Sequence, residues 1–358
     1  MANVGGFWGA ELKYAGYDNI IIIGKSEKPV YLYINDSHIE IRDANLIWGK
    51  TIFETEKILR QELGDNDIKI ASIGPAGENR VRGSAIIIDT ARAAGGSGVG
   101  CVMGDKRLKA IVVRGHGKIE VAEPERFMKV VAKCYQQCKD EPNTEMMHKA
   151  PLNLYEPFRV PKGWALAVST SPVAGRHLRG ATMGSNRYGP KPRPGNFGVT
   201  DYQNQAKGVV WQGKTKELED NLGICNYVGT WSGANFLTIA DFAELINAGM
   251  GLDLTEEELM NHHAVIGRNL EKAFNTLHTD MSRKDDLPPK RFREEEVKSG
   301  PYKGFKIEEN KYNEMLDEFY ELWGWDKKTG MQTRTGLEKL GLKDVAEKIA
   351  KQGKLIDK

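Results

Sequence analysis

The sequence predicts an α+β protein in which a β-rich part of the chain is followed by a mainly α-helical part. Up to about residue 120, short runs rich in Ile, Val and Tyr dominate, and turn-forming Gly, Pro, Asn and Asp separate them. Beyond about residue 125, apolar residues recur at helical spacing instead. A chain of 358 residues can hold two or three domains. We expect the boundaries to give segments 1–122, 123–150 and 151–358.

Six runs in the first part are predicted strands. They are NIIIIGKS from residue 19, VYLYI from 30, HIEIRDA from 38, DIKIASIG from 67, SAIIIDT from 84 and KAIVVRG from 109. HIEIRD alternates apolar and polar residues, as a strand with one buried face does. A helix from Thr51 to Leu63 interrupts the strands, and Glu54, three residues after Thr51, predicts a capping box.

Amphipathic stretches predict the helices of the second part. The first, PERFMKVVAKCYQQCKDEP, opens on a proline. One stripe of this helix would collect Phe127, Val130, Val131 and Cys134. The second, LTEEELMNHHAVIGRNLEKAFNTL, begins with another capping box, formed by Thr255 and Glu258. We interpret His262 and His263 within it as a solvated or packed helix face. NKYNEMLDEFYELWGW and TGLEKLGLKDVAEKIAKQ complete the helical part.

Composition excludes several classes of protein. The net charge of +2 gives no electrostatic argument for binding nucleic acid or acidic membranes. No apolar run approaches the ~18 residues of a membrane span, and the start of the sequence lacks the features of a signal peptide. The four cysteines are too few for a disulfide scaffold and are typical of a cytoplasmic protein. They are Cys101, Cys134, Cys138 and Cys225.

The run DTARAAGGSGVGCVMGDKRLKAIVV is the strongest local signal of the first part. Arg92 is followed by Ala93, Ala94 and a series of glycines that begins at Gly95. Small residues let backbone N–H groups approach an anion, and the arginine adds a charge-assisted contact suited to phosphate. The run contains no G-x-G-x-x-G motif, and we expect the next strand within about ten residues, which leaves little room for the helix of a dinucleotide-binding unit. NVGG at 3–6 could approach the same ligand.

Five blocks of sequence, in a fixed order, carry a resemblance to a known family. They are GGFWGAELKYAGYDNIIIIGKSEKPVYLYI, ARAAGGSGVGCVMGDKRLKAIVVRG, WALAVSTSPVAGRHLRG, DNLGIC and GRNLEKAFNTLHTDMSRKDDLPPKRF. Together they resemble the aldehyde:ferredoxin oxidoreductase family, whose members are tungsten enzymes with a bis-pterin cofactor and a [4Fe–4S] cluster. The resemblance implies a β-rich first domain with paired sheets beneath the pterins. It also implies mainly helical domains over the metal, which is tungsten or molybdenum.

The resemblance also implies an activity and partners. An aldehyde would be oxidised to a carboxylate, and the electrons would leave singly through the cluster to ferredoxin. Within the same family, the catalytic subunit of a tungsten aryl-CoA reductase is the alternative, with an aryl-CoA substrate and an iron–sulfur electron-transfer subunit as partner. Outside it, a truncated non-catalytic remnant or, more distantly, a nicotinamide dehydrogenase stays open. A homodimer is compatible with all of these.

Individual residues take roles from this resemblance. The cofactor-binding residues it implies are Asn3, Gly5, Arg92, Ala93, Gly95, Asp220, Gly223, Ile224 and Asn226. Mg²⁺ would bridge the two pterin phosphates beside the first five. Cys225 resembles a cluster ligand, and His177 resembles a histidine beside the metal, where an imidazole can donate a hydrogen bond or shuttle a proton. The alternatives are a helix N-cap for Asp220, a packed thiol for Cys225 and a structural role for His177.

Two parts of the family pattern are absent from this sequence. One is the start of the β-rich domain before NVGG, and the other is a middle domain with a C-x2-C-x3-C run that supplies the other three cluster ligands. Cys134 and Cys138 lie one helical turn apart, and with Cys101 they could in principle replace those ligands. We prefer packing roles for these cysteines, which leaves Cys225 without its companions.

Overall fold

The structure, a computed structural model, describes residues 2–140, 162–172, 201–224, 229, 237–298 and 303–357. The chain divides into two compact units, Met1–Glu120 and Val121–Lys358. The first unit contains a mixed β-sheet and the second is helical, so the predicted α+β class is confirmed. Within the ranges given above, no helix is long and apolar enough to cross a membrane.

One six-stranded sheet forms the centre of the first unit. Its strands are β1 (Val30–Asn35), β2 (His38–Asp43), β3 (Lys69–Ser72), β4 (Ile86–Ile88), β5 (Arg92–Ala94) and β6 (Leu108–Arg114), in the order β2-β1-β6-β3-β4-β5. β6 pairs in parallel with β1 and antiparallel with β3. Because β6 joins the two halves, the strands of the described residues form a single sheet, whereas the resemblance implied paired sheets.

Helices cover both faces of this sheet. They are α1 (Trp8–Tyr14), α2 (Ile52–Leu63), α3 (Pro75–Glu78) and α4 (Val99–Asp105). Alternate residues of β6 enter different cores, since Val113 packs with Leu12 of α1, whereas Val112 packs with Leu59 of α2. The predicted capping box of Thr51 and Glu54 is present at the start of α2.

One strand prediction for the first unit is wrong, and a second predicted strand, HIEIRDA, is present as β2 but lacks the buried apolar face expected of it. NIIIIGKS contains no strand, and Ile21 and Ile23 are 84% and 87% exposed. The segment is rich in residues that favour strands, but none of the six strands in the described residues pairs with it. Strand propensity alone does not form a strand without such a partner. β2 is an edge strand whose Ile41 is 74% exposed, while Arg42 is partly covered and lies 4.2 Å from the centroid of the Tyr33 ring. The alternation in HIEIRD therefore does not mark a buried apolar face.

The sequence pattern also predicts neither β5 nor α4, and the expectation of little room for a helix before β6 is wrong. The glycines of this segment explain how α4 fits. A Cβ on Gly100 would lie 2.6 Å from the carbonyl oxygen of Ala85, and one on Gly104 would collide with the carbonyl of Gly77. Since only glycine permits such close approach, the short helix packs directly against neighbouring backbone.

Ten α-helices follow in the described residues of the second unit. They are α5 (Pro124–Asp140), α6 (Lys162–Ser169), α7 (Gln205–Leu222), α8 (Ile239–Met250), α9 (Glu256–Glu258), α10 (Ala264–His278), α11 (Lys290–Glu294), α12 (Glu309–Trp323), α13 (Arg334–Lys339) and α14 (Lys343–Ala350). A π-helical stretch, Leu259–His263, joins α9 to α10, and a 3₁₀ turn, Arg283–Asp286, precedes α11. The predicted capping box at Thr255 and Glu258 is confirmed.

The helix α7 is the central element of the second unit. Of its 18 residues, 12 are buried. Val209 belongs to one core together with residues of α6 and α12, and Leu218 belongs to another with Val130 and Cys134 of α5. Both residues of α5 lie on the stripe that the sequence predicts. Both halves of α7 are therefore packed against neighbouring helices.

Candidate functional site

The Gly-rich run and the N-terminal glycines lie side by side in the first unit, as their predicted common ligand requires. A Cβ placed on Gly5 would lie 4.0 Å from Cδ of Arg92, and one placed on Gly6 would lie 3.5 Å from its Cγ. Gly6 has a φ of 103°, a conformation that side chains rarely adopt. The aliphatic part of the Arg92 side chain thus lies beside the exposed backbone of these glycines.

A tight hairpin between β4 and β5 positions Arg92. The Ala91 N–H donates to the Ile88 carbonyl at 3.0 Å, and Asp89 and Thr90 occupy the two central positions with φ of 45° and 54°. Positive φ at both positions is the type I′ geometry that matches strand twist in hairpins. The Asp89 carboxylate accepts a hydrogen bond from the backbone N–H of Ile70 at 2.9 Å, which helps to offset the strain of that conformation.

The surroundings of Arg92 fit an anionic ligand. Arg92 is exposed and has neither a hydrogen-bond nor an ion-pair partner among the residues that the structure describes. Asn3, Gly5 and Ala93 are exposed as well, and no described residue lies within 4 Å of a Cβ placed on Gly95. A guanidinium beside uncovered backbone can bind a phosphate through both charge and N–H groups. In the described parts of the chain, no group of three or more His, Cys, Asp or Glu side chains could hold a metal ion.

Asp220 lies near the C-terminal end of α7, so the alternative that it caps a helix N-terminus is wrong. Gly223 ends the helix with a φ of 68°, and the Ile224 N–H donates to the carbonyl of Glu219 at 2.9 Å. Glycine favours this left-handed conformation, which commonly ends an α-helix. Among the residues that the structure describes, none lies within 4 Å of a Cβ placed on Gly223.

A buried lysine accompanies Asp220. Lys216 Nζ lies 3.0 Å from Asp220 Oδ1 and 3.5 Å from Glu219 Oε2, and the three side chains are 10%, 5% and 0% exposed. Carboxylates are unfavourable both in a buried setting and at the C-terminal end of a helix dipole. The ammonium of Lys216 offsets both effects. The sequence prediction missed Lys216, although its i, i+4 spacing from Asp220 marks such a pair.

Other predicted residues lie elsewhere. His177, Cys225, Asn226 and the side chain of Cys138 fall outside the described residues. Cys134 is 8% exposed within an apolar core, and Cys101 Sγ lies 3.3 Å from the carbonyl oxygen of Arg80. His262 and His263 are exposed on the π-helical stretch, as predicted for a solvated face.

Comparison with known proteins identifies relatives of both units. Residues 1–115 match the family model of the N-terminal domain of aldehyde ferredoxin oxidoreductase, and residues 121–342 match the model of its domains 2 and 3. Over 142 residues, 40% of this chain, the sequence is 58% identical to a tungsten-containing aldehyde ferredoxin oxidoreductase of Pyrococcus abyssi. Over 135 residues, 34% of this chain, it is 42% identical to the WOR-like subunit of an aliphatic sulfonate oxidoreductase of Pyrococcus furiosus. The alignments span 23% and 22% of these relatives, so they cover about a quarter of each.

The fold also resembles that of a solved enzyme complex. A chain of the active site complex BamBC of benzoyl coenzyme A reductase, in complex with 1,5-dienoyl-CoA, superimposes with a TM-score of 0.79. The match covers 98% of this chain and 85% of that chain at 20% sequence identity. At this identity the likeness concerns the fold alone.

Proposed function

The chain belongs to the aldehyde ferredoxin oxidoreductase family, and we propose from this premise that it functions in an oxidoreductase that converts an aldehyde to a carboxylate. The cofactor would be a tungsten bis-pterin, and electrons would pass through a [4Fe–4S] cluster to ferredoxin. The 58% identity to a tungsten-containing aldehyde ferredoxin oxidoreductase supports this choice of metal and substrate class. The observation that carries the proposal is the uncovered guanidinium of Arg92 beside the backbone of Gly5 and Gly6.

Residues of the first unit would hold the phosphate ends of the pterins. Arg92 would bind a phosphate through its guanidinium, and the N–H groups near Gly5, Ala93 and Gly95 would donate to the same oxygens. A charge-assisted hydrogen bond of this kind contributes about 1.5–3 kcal/mol. Mg²⁺ suits a position between two phosphates, because it prefers hard oxygen ligands and keeps several waters.

Residues at the end of α7 would hold the pterin rings. The Asp220 carboxylate would accept hydrogen bonds from pterin N–H groups, and the backbone at Ile224 and Asn226, after the Gly223 turn, would face the pterin. Cys225 would supply one thiolate of the cluster, which needs four ligands in all. When bound, the tungsten–pterin group supplies the two-electron chemistry of aldehyde oxidation. His177 would hold or move the proton at the substrate oxygen.

Substrate assays on the native protein, purified without oxygen, test this function. We expect aldehyde-dependent reduction of ferredoxin, with one carboxylate formed for each aldehyde consumed and no activity with NAD⁺. Reduction of an aryl-CoA thioester by reduced ferredoxin, without aldehyde oxidation, would instead support the aryl-CoA reductase alternative. A protein that contains neither tungsten nor molybdenum and has neither activity would support the non-catalytic alternative.

Cys225→Ser examines the electron route separately. Loss of one thiolate should abolish the cluster and electron transfer to ferredoxin, while tungsten stays bound, because the pterin contacts proposed above do not involve the sulfur. Iron analysis and the absorbance near 400 nm report on the cluster. Full iron content in the variant would remove Cys225 from the ligand set.

A further inference from the structure

The last two turns of α7 contain an unusual concentration of buried charge. Lys216, Glu217 and Glu219 are 8%, 4% and 0% exposed as whole residues, and the Asp220 side chain is 5% exposed. Lys216 Nζ is 3.0 Å from Asp220 Oδ1, a charge-assisted contact, and 3.5 Å from Glu219 Oε2. Lys216 thus contacts two carboxylates in the part of the helix that leads into the Gly223 turn.

Stability alone is a weak explanation for this arrangement. A buried ion pair gives little net stabilisation, because desolvation of both partners offsets their attraction. Two carboxylates near a helix C-terminus also oppose the helix dipole. A helix that keeps charged residues at such a place indicates a role outside folding.

We propose that Lys216 is a positioning residue for Asp220 in cofactor binding, an inference that rests on the proposed function. A carboxylate has about four lone-pair directions, so Asp220 can accept from Lys216 and from pterin N–H groups at the same time. The ammonium holds Oδ1 in place before the cofactor arrives. It also offsets the cost of placing the negative charge of Asp220 in a buried position near the C-terminal end of a helix.

A purely structural Lys216 would behave differently. In that case its ammonium would serve Glu219 and the fold, and its loss would lower stability without depending on Asp220. If Lys216 instead acts through Asp220, removing Asp220 should make the removal of Lys216 inconsequential for cofactor retention. A double-mutant cycle separates the two roles.

The experiment uses the complete native protein with the variants K216M, K216R, D220N and K216M/D220N. K214M is the matched control, because Lys214 lies on the same helix and its Nζ binds Asn261 Oδ1 at 2.9 Å. Tungsten and pterin per chain are measured after anaerobic gel filtration, and circular dichroism and thermal melting report on the fold.

We expect K216M to retain tungsten about tenfold less well than the wild type or worse, as for a lost hydrogen bond to a charged group. K216R should keep most of the cofactor, K214M should match the wild type, and K216M/D220N should lose no more than D220N alone. Wild-type tungsten in folded K216M, or a double variant whose loss equals the sum of the single losses, would overturn the inference. Should K216M not fold, a K216M/D220N protein that loses more tungsten than D220N would overturn it as well. A wild-type protein without tungsten would contradict the proposed function itself.

Discussion

Replacement of Arg92 with alanine should separate cofactor binding from folding. Arg92 is exposed and has no partner within the described ranges, so its loss should change the free energy of unfolding by less than about 0.5 kcal/mol. The same change removes a contact to phosphate of about 1.5–3 kcal/mol, which corresponds to roughly a tenfold to 150-fold weaker affinity. Tungsten and pterin should therefore fall together while the melting temperature stays constant.

The assay is metal and pterin analysis of wild type and variants after identical dialysis. Arg82→Ala is the control, because Arg82 is also an exposed arginine of the first unit. Arg92→Lys should give intermediate retention, since an ammonium supplies the charge without the bidentate fork of a guanidinium. Tungsten content in Arg92→Ala equal to that of the wild type would refute a role for this side chain at the phosphates.

Three further predictions concern catalysis and stability. His177→Asn should retain tungsten and iron while turnover falls about a hundredfold or more, as expected for a lost acid–base group; unchanged turnover would make His177 structural. Lys109→Met should lower the free energy of unfolding by about 3–5 kcal/mol, because the buried carboxylate of Glu78 loses its ion-pair partner. Urea titration measures this change, and a decrease of less than about 1 kcal/mol would contradict the prediction. Burial lowers the pKa of Lys162 from 10.5 to about 8. Between pH 8 and pH 10.5 the unfolded state therefore binds more protons than the folded state. The free energy of unfolding should rise by about 3 kcal/mol as the pH increases across this range. Lys162→Met should remove this rise, and an identical pH profile would contradict the assignment.

Local sequence signals predicted the fold where the deciding interactions are local. The capping boxes at Thr51 and Thr255 depend on residues three positions apart, and both are present. The strand predicted for NIIIIGKS is absent, because a strand needs a partner strand and propensity does not reveal whether one is available. Helix α4 was missed because its packing depends on the absence of a Cβ at Gly100 and Gly104, and only the folded backbone shows what lies next to them.

The candidate site was predictable in part. The small residues around Arg92 and Gly5, together with the family resemblance, predict that both segments approach one ligand. In the structure Arg92 lies beside Gly5. Lys216 was not predicted, because a lysine on a helix usually faces solvent and its burial depends on the tertiary packing of α7. The i, i+4 spacing allows a contact with Asp220, and the 3.0 Å between Lys216 Nζ and Asp220 Oδ1 shows that it forms.

The central claim is that this chain binds a tungsten bis-pterin cofactor. Metal and pterin analysis tests it most directly, on native protein that is isolated without oxygen and identified by mass spectrometry. We expect tungsten together with a bis-pterin in the chain that contains Arg92 and Asp220. A native protein that is fully folded but contains neither tungsten, molybdenum nor pterin would contradict the proposed function.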